Sequence, residues 1–146
     1  MPNALELFHA ACVVALISLP YIASAAWVHT TGVYVAVFMM GAIGLWVVNN
    51  GHCWMNSFEA NDNPDGTMAH VVQSVFRLRG QYGFTISLVA DMLYCLSAFW
   101  LATAHPGLQV LIVGLTLAFF VLHKAKPLAR ALRSPTPTSS PRVTND

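Results

Sequence analysis

The sequence predicts an all-α integral membrane protein, a four-helix bundle with a short cytoplasmic interfacial helix. Of 146 residues, 56% are hydrophobic and only 9% are charged, whereas soluble domains carry about 25% charged residues. A chain of this size has too little interior to hide so much apolar sequence from water. A lipid bilayer is therefore its natural solvent. The net charge of +1 gives no electrostatic support to nucleic-acid binding.

Four apolar segments can each cross a bilayer, whose core of about 30 Å requires roughly 20 residues per helix. They span residues 7–28, 32–50, 82–103 and 107–123. The short connectors HTTG and AHPG make consecutive spans antiparallel. Gly41 and Gly44 in span two permit the close approach of a neighbouring helix. Together with the connectors, these spans make up a transmembrane domain at residues 1–133.

The basic residues set the predicted orientation. All seven lie in the connector between spans two and three or after span four, and the HTTG and AHPG connectors contain no Lys, Arg, Asp or Glu. Because cytoplasmic segments are enriched in Lys and Arg, we expect a multi-pass inner-membrane protein with both termini in the cytoplasm. The basic residues are Arg77, Arg79, Lys124, Lys126, Arg130, Arg133 and Arg142.

An alternative at the N-terminus stays open. Ala23, Ser24 and Ala25 have the small-residue spacing that a signal peptidase accepts. A secretory signal begins with a basic region, whereas the only charged side chain before this point is Glu6. We favour an uncleaved first span. Cleavage would leave three spans, and the basic residues would then no longer all lie on one side of the membrane.

The long connector and the tail lie outside the spans. Residues 67–79 predict a short helix in the headgroup plane, with Thr67 as N-cap and apolar residues along one side. The basic segment that starts at Lys124 is expected to contact anionic lipid headgroups. Residues 134–146 are rich in Pro, Ser and Thr, which predicts a disordered tail.

Asp91 is the most informative residue within a span. A lone carboxylate on a lipid-facing helix costs about 2.5 to 3.5 kcal/mol, so Asp91 should face the bundle interior with Ser87 and Cys95, one turn away on either side. Asn49, Asn50 or a histidine of another span are its expected partners. Two interpretations stay open: a proton or cation site, and a polar clasp that fixes helix register.

A second group of residues gathers at the predicted cytoplasmic edge. His52 and Cys53 are adjacent, Glu59 follows, and His9 and His123 reach the same depth from spans one and four. Imidazole, thiolate and carboxylate all bind metals, and paired histidines can hold haem. Neither a metal nor haem is required, because interfacial histidines also extend toward water without binding anything. Both interpretations stay open.

The stretch CWMNSFE, Cys53 to Glu59, resembles the Cys-Pro-Leu-Thr-x-Leu-Glu signature of a small four-span bacterial membrane family of uncharacterised function. The stretch YGFTISLVADMLY, Tyr82 to Tyr94, is similar to the Gly-Phe-Ile-rich third span of that family. Trp54 replaces the proline of the signature and Asn56 its threonine. The resemblance implies a four-span fold and no activity.

The expected function is that of a non-enzymatic accessory or structural subunit in a larger membrane assembly. The expected partners are lipid and other membrane subunits, or further copies of the chain. A haem- or metal-binding redox subunit and a small oligomeric transporter or channel that uses Asp91 are the two alternatives. The sequence has no phosphate-binding loop and no nucleophile motif, so it favours a protein that is not an enzyme.

Overall fold

The structure is a computed structural model that describes residues 2–51, 53, 66–78 and 82–133. All regular structure in these residues is helical. Seven α-helices follow one another, and a π-helical turn at Phe120–Lys124 joins the last two. The α-helices are α1 (Ala4–Ile22), α2 (Ala25–Thr30), α3 (Gly32–Val48), α4 (Thr67–Phe76), α5 (Gly83–Leu101), α6 (Pro106–Phe119) and α7 (Ala125–Arg133).

The segment predicted as span one at residues 7–28 forms two helices. α1 begins earlier, at Ala4, because Asn3 and Glu6 form a capping box at its N-terminus. It ends at Ile22, shortly after Pro20, whose ring nitrogen cannot donate to the helix ladder. Ser24 then caps α2, with the Trp27 N–H donating to its Oγ over 3.3 Å.

Helix α5 is the centre of the bundle. It packs against α1, α3, α4 and α6, and α3 also packs against α6. The largest fully buried apolar side chains lie where these helices meet. They are Met39, Ile43, Leu101, Ile112 and Phe119. A hydroxyl links α5 to α1, because Ser97 Oγ donates to the Ile17 carbonyl over 2.9 Å.

Helix α3 approaches α5 closely at Gly32. A Cβ added at Gly32 would lie 3.2 Å from the Leu101 carbonyl oxygen, whereas one added at Gly41 or Gly44 would meet nothing within 4 Å. The close approach that Gly41 and Gly44 permit is therefore not used by the described residues of this chain.

Within the described residues, three helices are long and apolar enough to cross a membrane: Ala4–Ile22, Gly83–Leu101 and Pro106–Arg130. The chain is a helical membrane protein. Helix α3 is apolar but has only 17 residues, which is the lower limit for a membrane span. The last crossing helix continues beyond the predicted end at residue 123, through the π-helical turn and into α7.

Helix α4 is shorter than the predicted interfacial helix at residues 67–79. It ends at Phe76, because Arg77 adopts a left-handed conformation (φ 52°) and the Leu78 N–H donates to the Gln73 carbonyl over 2.9 Å. This is the Schellman bond that closes many helices. Arg79 and the tail at residues 134–146 lie outside the described residues.

Candidate functional site

A polar site lies at one end of the bundle, where α3 and the π-helical turn end and where α1 and α5 begin. We call this end the polar end of the bundle. Its centre is an ion pair between Lys124 and Asp91, whose Nζ and Oδ2 atoms are 2.7 Å apart. Lys124 Nζ also lies 3.3 Å from Ser87 Oγ, to which it donates, and 5.4 Å from the centre of the Phe119 ring. The two charged side chains are only 14% and 19% exposed.

Lys124 is the functional residue that the sequence analysis missed. It was expected to reach lipid headgroups, but it turns into the bundle and binds the only charged side chain of α5. A signal for this pairing was present. Asp91 is the single charge between Arg79 and Lys124, and a carboxylate at membrane depth is expected to find a cation.

A cavity of about 90 Å³ lies beside the ion pair. Its wall is formed by α1, α3 and α5, together with the π-helical turn, the first turn of α4 and the chain just after α3. Its polar wall residues are His9, Trp46, Thr67, Ser87, Asp91, Tyr94 and Lys124, with Cys53 between them. The site therefore combines two opposite charges with hydroxyl, imidazole and indole groups.

Aromatic rings form the side of this cavity that faces the core. The centroid of the Trp46 ring lies 4.9 Å from that of Tyr94 and 5.5 Å from that of Phe119. The interplanar angles are 45° and 48°. Such tilted pairs are worth about 0.5–1.5 kcal/mol beyond their buried area. Trp46 Nε1 is buried and has no acceptor among the described residues.

His123 belongs to the junction between α3 and the π-helical turn and not to the cavity wall. Its Nε2 atom lies 3.0 Å from the Val47 carbonyl oxygen. Gly51 passes so close that an added Cβ would lie 3.0 Å from His123 Cβ, and its φ of +80° already favours glycine. The tight fit joins the end of α3 to the end of the last membrane helix.

The three other residues of the predicted polar cluster lie at the end of α3 and one helical turn along α5 from Asp91. Asn49 and Asn50 are exposed at the end of α3, where Asn50 adopts a positive φ of 51°. Cys95 is buried and faces a groove between α5 and α6. Of the predicted set, Ser87 is the residue that shares a cation with Asp91.

Of the predicted ligands, His9 and Cys53 both line the cavity, whereas His123 binds the end of α3. His52 and Glu59 lie outside the described residues. In the part of the chain that the structure describes, no three His, Cys, Asp or Glu side chains come together as a metal site. Haem or metal binding stays a prediction.

A second ion pair joins α1 to α4 at the polar end. Glu6 Oε1 lies 3.4 Å from His70 Nδ1, an ion pair when the imidazole is protonated. Glu6 is only 2% exposed, and its other oxygen accepts the Asn3 N–H over 2.7 Å. The same carboxylate thus caps α1 and contacts α4.

An apolar groove of about 500 Å³ runs between α5 and α6 on the outer surface of the bundle. Met92, Leu96 and Phe99 form one side of it, and Val113 and Leu117 form the other. Two small polar side chains, Cys95 and Thr116, also line it, and Leu128 of α7 closes one end. We call this surface the α5–α6 groove.

Comparison with models of protein families, with curated proteins and with solved structures finds no match for this chain.

Proposed function

We propose that the chain crosses an inner membrane four times, with both termini in the cytoplasm. A four-span fold is also what the resemblance of its Cys53 to Glu59 stretch implies. The contacts of α3 support the fourth crossing. It packs along α5 and α6, and its end meets His123 at the polar end. The starts of α1 and α5 lie at that same end, so the four helices alternate in direction.

The basic residues Arg77, Lys124 and Lys126 belong to this end, which favours a cytoplasmic location for the polar end.

We further propose that the protein is a non-enzymatic accessory subunit that binds a transmembrane helix of a partner in the α5–α6 groove. The groove is the observation that carries this proposal. Its sides present exposed Leu96, Val113 and Leu117, and Cys95 and Thr116 lie between them. Helices in lipid associate through close packing and through small polar side chains that bond across the interface.

The ion pair supports a structural role for the bundle itself. Lys124 compensates the charge of Asp91 within the chain, so α5 carries no uncompensated carboxylate into the bilayer. A bundle closed at its polar end and open along the α5–α6 groove suits a subunit whose partner completes one side.

A photoreactive residue at position 96 tests the accessory role. We expect Leu96, on the groove, to form a covalent adduct of defined mass with one membrane protein in native membranes. Val37 of α3 is the matched control, because the two side chains are 50% and 47% exposed and each lies five residues from its helix end on the same side. We expect Val37 to react with lipid alone.

Two results would contradict the proposal. Lipid adducts at both positions would show that no helix occupies the groove. A cross-link to a second copy of the chain, in place of another protein, would show self-association and not an accessory role.

The two alternative functions stay predictions. A transporter that uses Asp91 would have to break the 2.7 Å contact with Lys124 to free the carboxylate. A haem subunit would have to draw His123 away from the Val47 carbonyl oxygen, which lies 3.0 Å from Nε2. Each alternative therefore needs a rearrangement at the polar end that the accessory role does not.

A further inference from the structure

The cavity at the polar end has properties that the accessory role does not use. It has a volume of about 90 Å³, which exceeds the share of about 30 Å³ that one water molecule takes in the liquid. Its wall includes groups that donate hydrogen bonds. Three of these donors are the indole of Trp46, the N-terminus of α4 and the ammonium of Lys124.

The first donor is the indole of Trp46. This residue is 8% exposed, it lines the cavity, and its Nε1 has no acceptor among the described residues. A buried N–H without an acceptor is destabilising, because the group has lost its bond to water. An acceptor within the cavity would remove that cost.

The second donor is the N-terminus of α4. Gly66, Thr67 and Met68 form part of the cavity wall. The N-cap residue Gly66 has no side chain, so no side-chain hydrogen bond caps this ten-residue helix. The first N–H groups of a helix point outward and carry its partial positive charge, which favours anions.

The third donor is the ammonium group of Lys124. An ammonium has three N–H donors, and two of them have partners in Asp91 and Ser87. A third donor is left over beside the cavity that Lys124 lines. Among the described residues that form the wall, Asp91 is the only carboxylate, and it opposes an incoming negative charge.

We propose that this cavity binds one small monovalent anion, of halide size, between Trp46 Nε1, Lys124 and the N-terminus of α4. Lys124 is shared between the anion and Asp91, so the native site binds weakly. Removal of the Asp91 charge strengthens binding, and removal of the Lys124 charge abolishes it. This site is independent of a partner in the α5–α6 groove.

Iodide quenching of Trp46 tests the site directly. In a variant with Trp27, Trp54 and Trp100 replaced by Phe, sodium iodide is titrated against sodium gluconate at constant ionic strength, with the full chain in lipid nanodiscs. We expect quenching of Trp46 that saturates and that chloride reverses by competition. Quenching that rises linearly without saturation would overturn the proposal.

Three charge variants separate this site from general attraction of iodide. Lys124→Met should abolish saturation, whereas Lys126→Met, which removes an exposed charge nearby, should leave it unchanged. Asp91→Asn should lower the iodide concentration at half-saturation at least about tenfold, one factor of ten being about 1.4 kcal/mol. Because unfolding would weaken iodide binding, the stronger binding expected in Asp91→Asn cannot arise from unfolding. Unchanged half-saturation in Asp91→Asn would overturn the proposal.

Discussion

At the scale of single residues, Asp91 and Lys124 determine the polar end. The sequence predicts that Asp91 faces the interior near Ser87, because an uncompensated carboxylate in lipid is costly. It does not predict Lys124 as the partner. The π-helical turn at Phe120–Lys124 changes the direction in which this lysine points, and no sequence pattern at this position indicates a π-helical turn.

Because Asp91 and Lys124 form an ion pair, the stability effects of substitutions at these two residues should depend on each other. Asp91→Ala and Lys124→Ala should each lower the free energy of unfolding by about 2–3 kcal/mol, somewhat less than the ~3–5 kcal/mol of fully buried pairs, because both side chains keep some exposure. Unfolding in a denaturing detergent measures this. Lys126→Ala, which changes an exposed lysine, is the control and should be neutral.

The double variant Asp91→Ala/Lys124→Ala completes the cycle. It should lose less stability than the sum of the two single variants, by about 0.5–3 kcal/mol. Strict additivity would show that the two charges do not interact.

At the scale of elements, the sequence predicts which segments are helical but not where each ends. The first span divides because Pro20 and Ser24 end one helix and start another, and hydropathy averaged over a span conceals this. Helix α4 ends at Phe76 because Arg77 turns left-handed, which a non-glycine residue rarely does. The first turn of α4 lines the cavity, and only tertiary packing determines this position.

The junction between α3 and the π-helical turn should depend on Gly51. Gly51→Ala should lower stability by about 1–3 kcal/mol, since alanine is strained at positive φ and its Cβ would lie 3.0 Å from His123 Cβ. Thermal unfolding in detergent measures the loss. Gly44→Ala is the matched control in α3: nothing lies within 4 Å of its added Cβ, and alanine favours a helix over glycine by roughly 1 kcal/mol.

His123→Ala tests the steric cause at this junction. In the Gly51→Ala/His123→Ala variant the imidazole, whose Cγ would lie 3.1 Å from the added Cβ, is gone, whereas the 3.0 Å contact with the Cβ of residue 123 and the backbone strain persist, so part of the lost stability should return. Equal losses in Gly51→Ala and Gly44→Ala would mean that the junction is not tight.

At the scale of the whole molecule, composition alone predicts a helical membrane protein, and the structure confirms that class. The number of crossings depends on α3, whose 17 residues are at the lower limit for a span. The core partners of α3, including Met39 and Ile43, are not apparent from a sequence in which nearly every residue of the helix is apolar. The candidate site likewise depends on residues of α1, α3, α4, α5 and the π-helical turn that only the fold brings together.

The two connectors opposite the polar end test the number of crossings. In a background without native cysteines, His29→Cys and His105→Cys should both react with a membrane-impermeant maleimide added outside intact cells. Four crossings place both residues on the outer side, whereas a bundle in which α3 does not cross places them on opposite sides. Lys126→Cys should react only after permeabilisation. Labelling of one connector alone would exclude the four-span topology.

The π-helical turn has a consequence for how this chain can tolerate change in length. The Ala125 N–H reaches back five residues to the Phe120 carbonyl, so the turn holds one residue more than an α-helical turn. Deleting Val121 would therefore convert the turn to a regular α-helical one, and the residues after it would keep their direction, with Lys124 still beside Asp91 and Leu128 still at the groove. The same deletion within α6 would rotate everything after it by about 100° about the axis, the angle of one residue at 3.6 per turn, and would turn Lys124 toward lipid. The chain can thus lose one codon at this turn and keep its ammonium directed inward.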